Sequence, residues 1–202
     1  MGAEQQNLEV EVKFFVPDLA AFRERLLAAG AALKKPRIYE RNVRFDTADE
    51  RLYRELSLLR LRQDTAVTLT YKGTPQHLPQ SEAKVREELE VQVSDFDTLA
   101  EILKRLGFAP MQVYEKYRET FQWQTVEIVL DELPYGNFIE LEGDEVDIKT
   151  AVSHLNLNWQ ERILGNYLGL MAQLKAHHNL PFNDLTFANF ANLPVSIADI
   201  LS

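Results

Sequence analysis

Between residues 8 and 16 charged and apolar positions alternate, with Glu9, Glu11 and Lys13 set against Val10, Val12 and Phe14. A period of two predicts a β-strand with two unlike faces. Pro17 and Asp18 then open a segment whose apolar positions Leu19, Phe22, Leu26 and Leu27 recur at helical spacing, and Gly30 supplies its stop. Strands are predicted over 38–46, 57–63 and 66–73, with a single helical turn over 48–55 between the first two. The stretch 75–81, with two prolines, reads as the longest irregular loop.

The second half repeats this order. A strand over 83–93 leads to a helix capped by Ser94, with Leu99, Ile102, Leu103 and Leu106 on one face and Gly107 at its end. Three further strands are predicted over 111–123, 125–132 and 137–142, the last two joined by a turn at Leu133-Pro134-Tyr135-Gly136. Glu9-Val-Glu-Val matches Glu88-Leu-Glu-Val, and Tyr39-Glu-Arg matches Tyr114-Glu-Lys. These matches suggest two strand–helix–strand–strand–strand units from a weak internal duplication. The expected architecture is α+β: eight antiparallel strands closing into one barrel, or tunnel, with helices packed outside. The whole chain, 1–202, reads as a single domain with its core over about 8–170. A helical and irregular extension over about 171–202 packs back on it, and the longest helix after the strands is expected over 159–177.

One face of these strands is almost wholly ionised. Taking every second residue collects Lys13, Arg44, Arg60, Arg62, Lys72, Lys84, Arg86, Lys116 and Arg118, with Glu9, Glu11, Glu88, Glu90, Asp131, Glu140 and Glu142. That is nine basic against seven acidic side chains, a net of +2 in a chain whose total is −9. The opposite face carries Val12, Phe14, Val43, Phe45, Leu61, Leu89, Val91, Ile128, Leu130 and Ile139, and is expected to meet the helices. An antiparallel sheet often turns a polar side to water. Such a side normally mixes Thr, Ser and Gln with its charges, whereas here Arg, Lys and Glu fill most positions. Closed into a barrel, the ionised face cannot be dry, since each desolvated ion costs several kcal/mol unless well paired.

What would fill it follows from the donors. Carboxylates without soft ligands suit hard divalent cations, Mg²⁺ or Mn²⁺. Clustered Arg and Lys suit phosphate oxygens, Arg through its fork and Lys as a point charge. Two divalent cations would add +4, and a triphosphate carries roughly −4 to −5. The face is therefore matched to a metal–polyphosphate complex.

Composition narrows the alternatives. Cysteine is absent among 202 residues, which excludes disulfides, thiolate nucleophiles and zinc–thiolate sites. Nothing resembles a bilayer span or a signal sequence, so a cytoplasmic location without membrane association is expected. The acidic total argues against nucleic-acid binding. P-loop, GxGxxG, GxSxG and HExxH motifs are missing, and none of the four histidines has ligand or base spacing.

Glu9-Val-Glu-Val-Lys13 resembles the ExExK signature of the CYTH superfamily, the triphosphate tunnel metalloenzymes. Further similarity follows in the family's order: Arg44-Phe-Asp-Thr47, Leu59-Arg-Leu-Arg62, Thr70-Tyr-Lys-Gly73, Arg86-Glu-Glu-Leu-Glu90, Lys116-Tyr-Arg118, and Leu130 through Glu142. Arg44 departs from the Tyr that many members carry. The resemblance implies a tunnel holding a small-molecule triphosphate (tripolyphosphate, ATP or thiamine triphosphate) with Mg²⁺ or Mn²⁺. It implies Glu9, Glu11, Asp131, Glu140 and Glu142 as metal ligands, with Glu88 and Glu90 either ligating metal or orienting Arg and Lys. Lys13, Arg60, Arg62, Lys72, Arg86, Lys116 and Arg118 would bind phosphate, joined by Arg44 and Lys84, with Glu11, Glu140 and Lys72 taken as catalytic. Hydrolysis of tripolyphosphate is the leading expectation. Class IV adenylyl cyclase, thiamine triphosphatase and a non-catalytic polyphosphate-binding module are the competitors, and a homodimer is left open.

Overall fold

The computed structural model describes residues 8–77 and 79–201, so the polar segment 1–7 lies outside the described residues. A first unit runs β1 (Leu8–Phe15), α1 (Leu19–Ala28), β2 (Ala32–Asp46), α2 (Arg51–Arg54), β3 (Leu58–Gln63) and β4 (Val67–Gly73). A second runs β5 (Lys84–Val93), α3 (Phe96–Arg105), β6 (Ala109–Trp123), β7 (Val126–Leu133) and β8 (Gly136–Glu142). Three helices follow: α4 (Glu145–His154), α5 (Tyr167–His178) and α6 (Phe187–Phe190).

The strands close into an antiparallel barrel in the order β1-β5-β4-β3-β2-β6-β7-β8. Exchanging each strand of one unit for its counterpart in the other maps every ladder onto a ladder. β1·β5 and β2·β6 join the units, and the meanders β2-β3-β4 and β6-β7-β8 correspond. The internal duplication is thus a pseudo-twofold of the barrel, and closure leaves unpaired edges only where a ladder is shorter than its strands, as on β1 and β6.

Opposite charges face one another across the ladders. Lys13 opposes Glu140, and Glu11 opposes Lys84 on its other side. Lys72 opposes Glu88, Glu40 opposes Lys116, and Arg118 opposes Asp131. A slip of one residue would turn every one of these groups outward into the apolar shell, which is what pins the register. The outer residues form that shell. α1 and α4 bury Phe22, Leu26, Ile148 and Val152 against Val12, Phe14, Ile128 and Leu141, and α3 lays Ala100 and Leu103 near Val43 and Leu61.

Several sequence expectations shift. β2 starts at Ala32, six residues earlier than expected, because Pro36 is absorbed at register irregularities between Leu33 and Ile38. The N-cap of α3 is Asp95, whose carboxylate accepts the Thr98 amide, and Ser94 lies one residue outside. The helix expected over 159–177 is broken. A 3-10 turn at Trp159–Glu161 leads into an extended contact at Ile163, and Asn166 then caps α5 by accepting the Gly169 amide. α4, ten residues long like α1 and α3, lies after β8, where no separate helix is predicted. Outward-facing Leu89 and Val91 are exposed, with no helix over them.

The C-terminal extension is part of the barrel wall. The Ile163 amide donates to the Lys13 carbonyl (2.7 Å) on β1 beyond the end of its pairing with β5. Leu185 donates to Val113 O and accepts from Glu115 N (both 2.9 Å) on β6, where the pairing with β7 has ended. The extension therefore fills both notches of the sheet, with α5 between them. Leu170, Leu174, Leu180, Leu185 and Ile197 pack with Leu133, Tyr135 and Phe138 in an apolar cluster under this strap.

Candidate functional site

The inward faces surround a cavity of about 1230 Å³. All nine predicted cationic residues line it: Lys13, Arg44, Arg60, Arg62, Lys72, Lys84, Arg86, Lys116 and Arg118. Glu9, Glu11, Glu88, Glu90, Glu140 and Glu142 line it too; Asp131 does not.

The carboxylates concentrate on β1, β5 and β8. Lys72 Nζ lies 2.6 Å from both Glu9 oxygens and 3.1 Å from Glu88, and Lys84 holds Glu11. Lys13 Nζ is 3.0 Å from Glu140 and 3.6 Å from Glu11. Burial alone would lift the Glu11 carboxyl, but Lys13 and Lys84 outweigh it and hold it at about 2. Glu140 is likewise held well below the usual range, because Lys13, Arg118 and Lys116 overcome its burial. Glu9 goes the other way. Burial, with Glu11 and Glu88 close by, raises it in spite of Lys72. Glu142 is exposed at the end of β8, yet desolvation by the surrounding wall, with Glu9 and with Glu127 directly opposite on β7, pushes its carboxyl up to about 7. This end of the tunnel has more negative charge than its lysines neutralise.

The wall of β2, β3 and β6 is cationic. Arg60 donates to Thr70 Oγ1 (3.0 Å) and the Tyr114 hydroxyl (3.4 Å), and Arg62 reaches Glu90 at 3.4 Å. One carboxylate that sequence reasoning passed over, Glu40, sits among these groups, 3.7 Å from Lys116. Against its burial, Lys116, Arg118, Arg62 and Arg60 hold its carboxyl at about 2. Glu40 Oε2, both amide atoms of Asn42 and the Nε atoms of Arg60 and Arg62 are buried without hydrogen-bond partners. Buried polar atoms are normally satisfied, so this wall is built to meet polar groups other than its own. Glu40 lies two residues before Asn42, in step with the alternation of the charged face, but its isolation among cations is visible only in the fold.

Two predicted residues have local tasks. Arg86 donates to the carbonyls of Gly73, Leu56 and Lys72, stapling β4 to β5 at the rim. Arg44 pairs with Asp46 (3.1 Å) and Glu50 (3.0 Å) beside α2. Asp131, fully buried, accepts from Lys116 (2.9 Å), Arg118 Nε (2.7 Å) and the Tyr167 hydroxyl (2.9 Å) at the end of the tunnel crossed by α5.

Among the described residues, no group of three acidic or imidazole side chains is placed to chelate a cation. The donor chemistry nevertheless fits a hard cation. Glu9, Glu11, Glu88 and Glu142 offer only oxygen, and the raised carboxyls of Glu9 and Glu142 mark a local shortage of positive charge.

Comparison with known proteins gives a consistent result. The family model described as the CYTH domain matches residues 7–159. A "Putative adenylate cyclase" of Methanocaldococcus jannaschii is 31% identical over 145 residues, covering 70% of this chain and 79% of that protein. Among solved structures, a "putative adenylate cyclase" from Vibrio parahaemolyticus aligns with TM-score 0.70 at 20% identity, over 82% of this chain and 98% of the other. A "putative adenylyl cyclase" from Hippeastrum, described as showing a dominant triphosphatase activity, aligns with TM-score 0.57 at 15% identity over 82% and 95%. No helix among the described residues is long and apolar enough to cross a membrane. With the family model spanning well over half of its length, the chain belongs to the CYTH domain family.

Proposed function

We propose that this protein is a divalent-metal-dependent triphosphatase, with inorganic tripolyphosphate as its leading substrate. The observation that carries the reading is the polarised cavity: a carboxylate-rich side on β1, β5 and β8 faces a cationic side on β2, β3 and β6 within one enclosure of about 1230 Å³. Phosphoryl transfer depends on positioning and charge neutralisation more than on covalent chemistry.

In this reading Arg60, Arg62, Lys116 and Arg118 receive the phosphate oxygens through donors that now rest on Thr70, Tyr114, Glu90, Asp131 and Glu140. Lys13, Lys72 and Lys84, now paired with Glu140, Glu9 and Glu11 on the carboxylate-rich side, would release those carboxylates as they move onto phosphate. Glu9, Glu11, Glu140 and Glu142, with Glu88 beside them, would hold Mg²⁺ or Mn²⁺. A cation bound there supplies Lewis-acid neutralisation of the phosphate charge and acidifies the attacking water. The enclosing wall limits competing solvent around the reacting phosphate.

The name shared by relatives in Methanocaldococcus jannaschii and Vibrio parahaemolyticus supports a second reading, cyclisation of ATP. In that case the nucleophile would be a ribose hydroxyl instead of water, and the products cyclic AMP and pyrophosphate. Tripolyphosphate, thiamine triphosphate and ATP, each supplied with Mg²⁺ and with Mn²⁺, test both readings when products are identified. Orthophosphate from tripolyphosphate is the expected product. Cyclic AMP with pyrophosphate from ATP would replace the first reading by the second, and tight binding without turnover would reduce the protein to a polyphosphate-binding module.

A further inference from the structure

We propose that Tyr167, on the C-terminal strap beyond the family-model match, is a positioning residue that presets Lys13 and Lys116 for an anionic ligand. The inference rests on the tunnel being a triphosphate site, and it brings a segment outside the 7–159 match into that site.

Tyr167 opens α5, between the two points where the strap enters the sheet, Ile163 beside β1 and Leu185 beside β6. Its place is over-determined. The Tyr135 hydroxyl donates to its carbonyl (2.9 Å), Phe138 meets its ring edge-on at 5.2 Å, and Asn166 caps the helix it begins. The side chain points into the barrel and lines the cavity. Lys13 Nζ lies over the ring at 5.0 Å from its centroid, and Lys116 Nζ at 5.4 Å. The hydroxyl donates to Asp131 Oδ2 at 2.9 Å, the same oxygen that accepts from Lys116 at 2.9 Å.

Each contact has a consequence for ligand binding. A carboxylate that neutralises an ammonium group also takes up its N–H donors. An aromatic face stabilises the cation while offering no lone pair in the ligand plane, so the donors remain for phosphate oxygens. Lys13 and Lys116 each give one donor to a carboxylate, Glu140 at 3.0 Å and Asp131 at 2.9 Å, and the shared ring helps to point both ammonium groups while taking up none of their remaining donors. The hydroxyl shares Asp131 Oδ2 with Lys116 and Arg118, so it fixes the carboxylate on which Lys116 rests. Buried partners held from both sides lose little further freedom when the ligand arrives, and affinity rises accordingly.

Two variants separate ring from hydroxyl. Tyr167→Phe keeps the ring beneath the lysines and drops the donor to Asp131; Tyr167→Leu drops both. In protein carrying ¹³C-labelled lysine, the ε-methylene signals of Lys13 and Lys116 are expected to be ring-shifted in the wild type and in Tyr167→Phe, and to return to ordinary positions in Tyr167→Leu. KM for tripolyphosphate should rise roughly tenfold in Tyr167→Leu and less in Tyr167→Phe, the scale of one interaction with a charged group, with kcat moving less than KM. Lysine signals identical in wild type and Tyr167→Leu would overturn the inference whatever the substrate proves to be. So would an unchanged KM in either variant of an active enzyme. Shifted signals in a wild-type protein that neither binds nor cleaves tripolyphosphate would uphold the placement of the two lysines and overturn the triphosphate reading instead.

Discussion

Glu9 on β1 and Lys72 on β4 meet within the barrel with β5 running between their strands, the ammonium nitrogen 2.6 Å from both carboxylate oxygens. Even with that partner the Glu9 carboxyl is raised, because its burial and the neighbouring Glu11 and Glu88 outweigh the single lysine. If this end of the tunnel holds the proposed divalent cation, protons compete with it there. Mn²⁺ affinity should tighten as pH rises from 6 to 8, by up to about tenfold per unit for each carboxyl that must deprotonate. Calorimetric titration with Mn²⁺ at the two pH values checks this, and Glu142→Gln, which removes the carboxyl titrating at about 7, should flatten the dependence.

Glu142 gives a stability prediction of definite sign. Its folded carboxyl titrates at about 7 against an ordinary 4.5, so between those values the folded chain retains a proton that the unfolded chain has lost. Stability from this group falls as pH rises through the window and stays lower above it. Glu142→Gln should raise Tm at pH 8 and leave it unchanged at pH 4. Equal shifts at both pH values would show that Glu142 is not strained by its neighbours.

Glu40 is the counter-ion of the cationic wall, and its carboxyl, held at about 2, stabilises the fold above pH 4.5 and ceases to do so as pH falls toward 2. Glu40→Gln leaves Lys116 and the nearby arginines under-neutralised. The variant should lose stability in phosphate-free buffer and regain it when millimolar tripolyphosphate is added, read as Tm. A variant as stable as wild type without any anion would remove Glu40 from this role.

Much of this arrangement could be read from residues alone. The alternation of Glu9, Glu11 and Lys13 against Val10, Val12 and Phe14 gave both the strand and the side facing the tunnel, since period two and barrel closure leave only one place for each face. The weak match between halves proved to be a pseudo-twofold of the ladders. What escaped depends on distant contacts. Nothing near Glu40 in sequence announces that Lys116, Arg118, Arg62 and Arg60 will surround it. Nor does the helical pattern over 159–177 show that Ile163 must break to complete the edge of β1. Tyr167 reads as an ordinary packing aromatic until the strap carries it beneath Lys13 and Lys116.

The strap's structural share is measurable apart from chemistry. Leu185 is fully buried and its backbone bonds both Val113 and Glu115 on β6. Leu185→Ala should cost about 2–5 kcal/mol, the range for emptying a packed leucine site. Denaturant unfolding with an unchanged m-value would give that figure; a loss under about 1 kcal/mol would mean the strap is only loosely seated.

The proposed activity requires the cationic wall to receive a triphosphate inside the barrel. Isothermal titration with tripolyphosphate in Mn²⁺, run on wild type and on Arg60→Met and Lys116→Met variants whose Tm is retained, addresses it directly. One equivalent bound by wild type, with affinity reduced roughly tenfold or more in each variant, is the predicted result. Equal binding by all three proteins, or none by wild type, would contradict it.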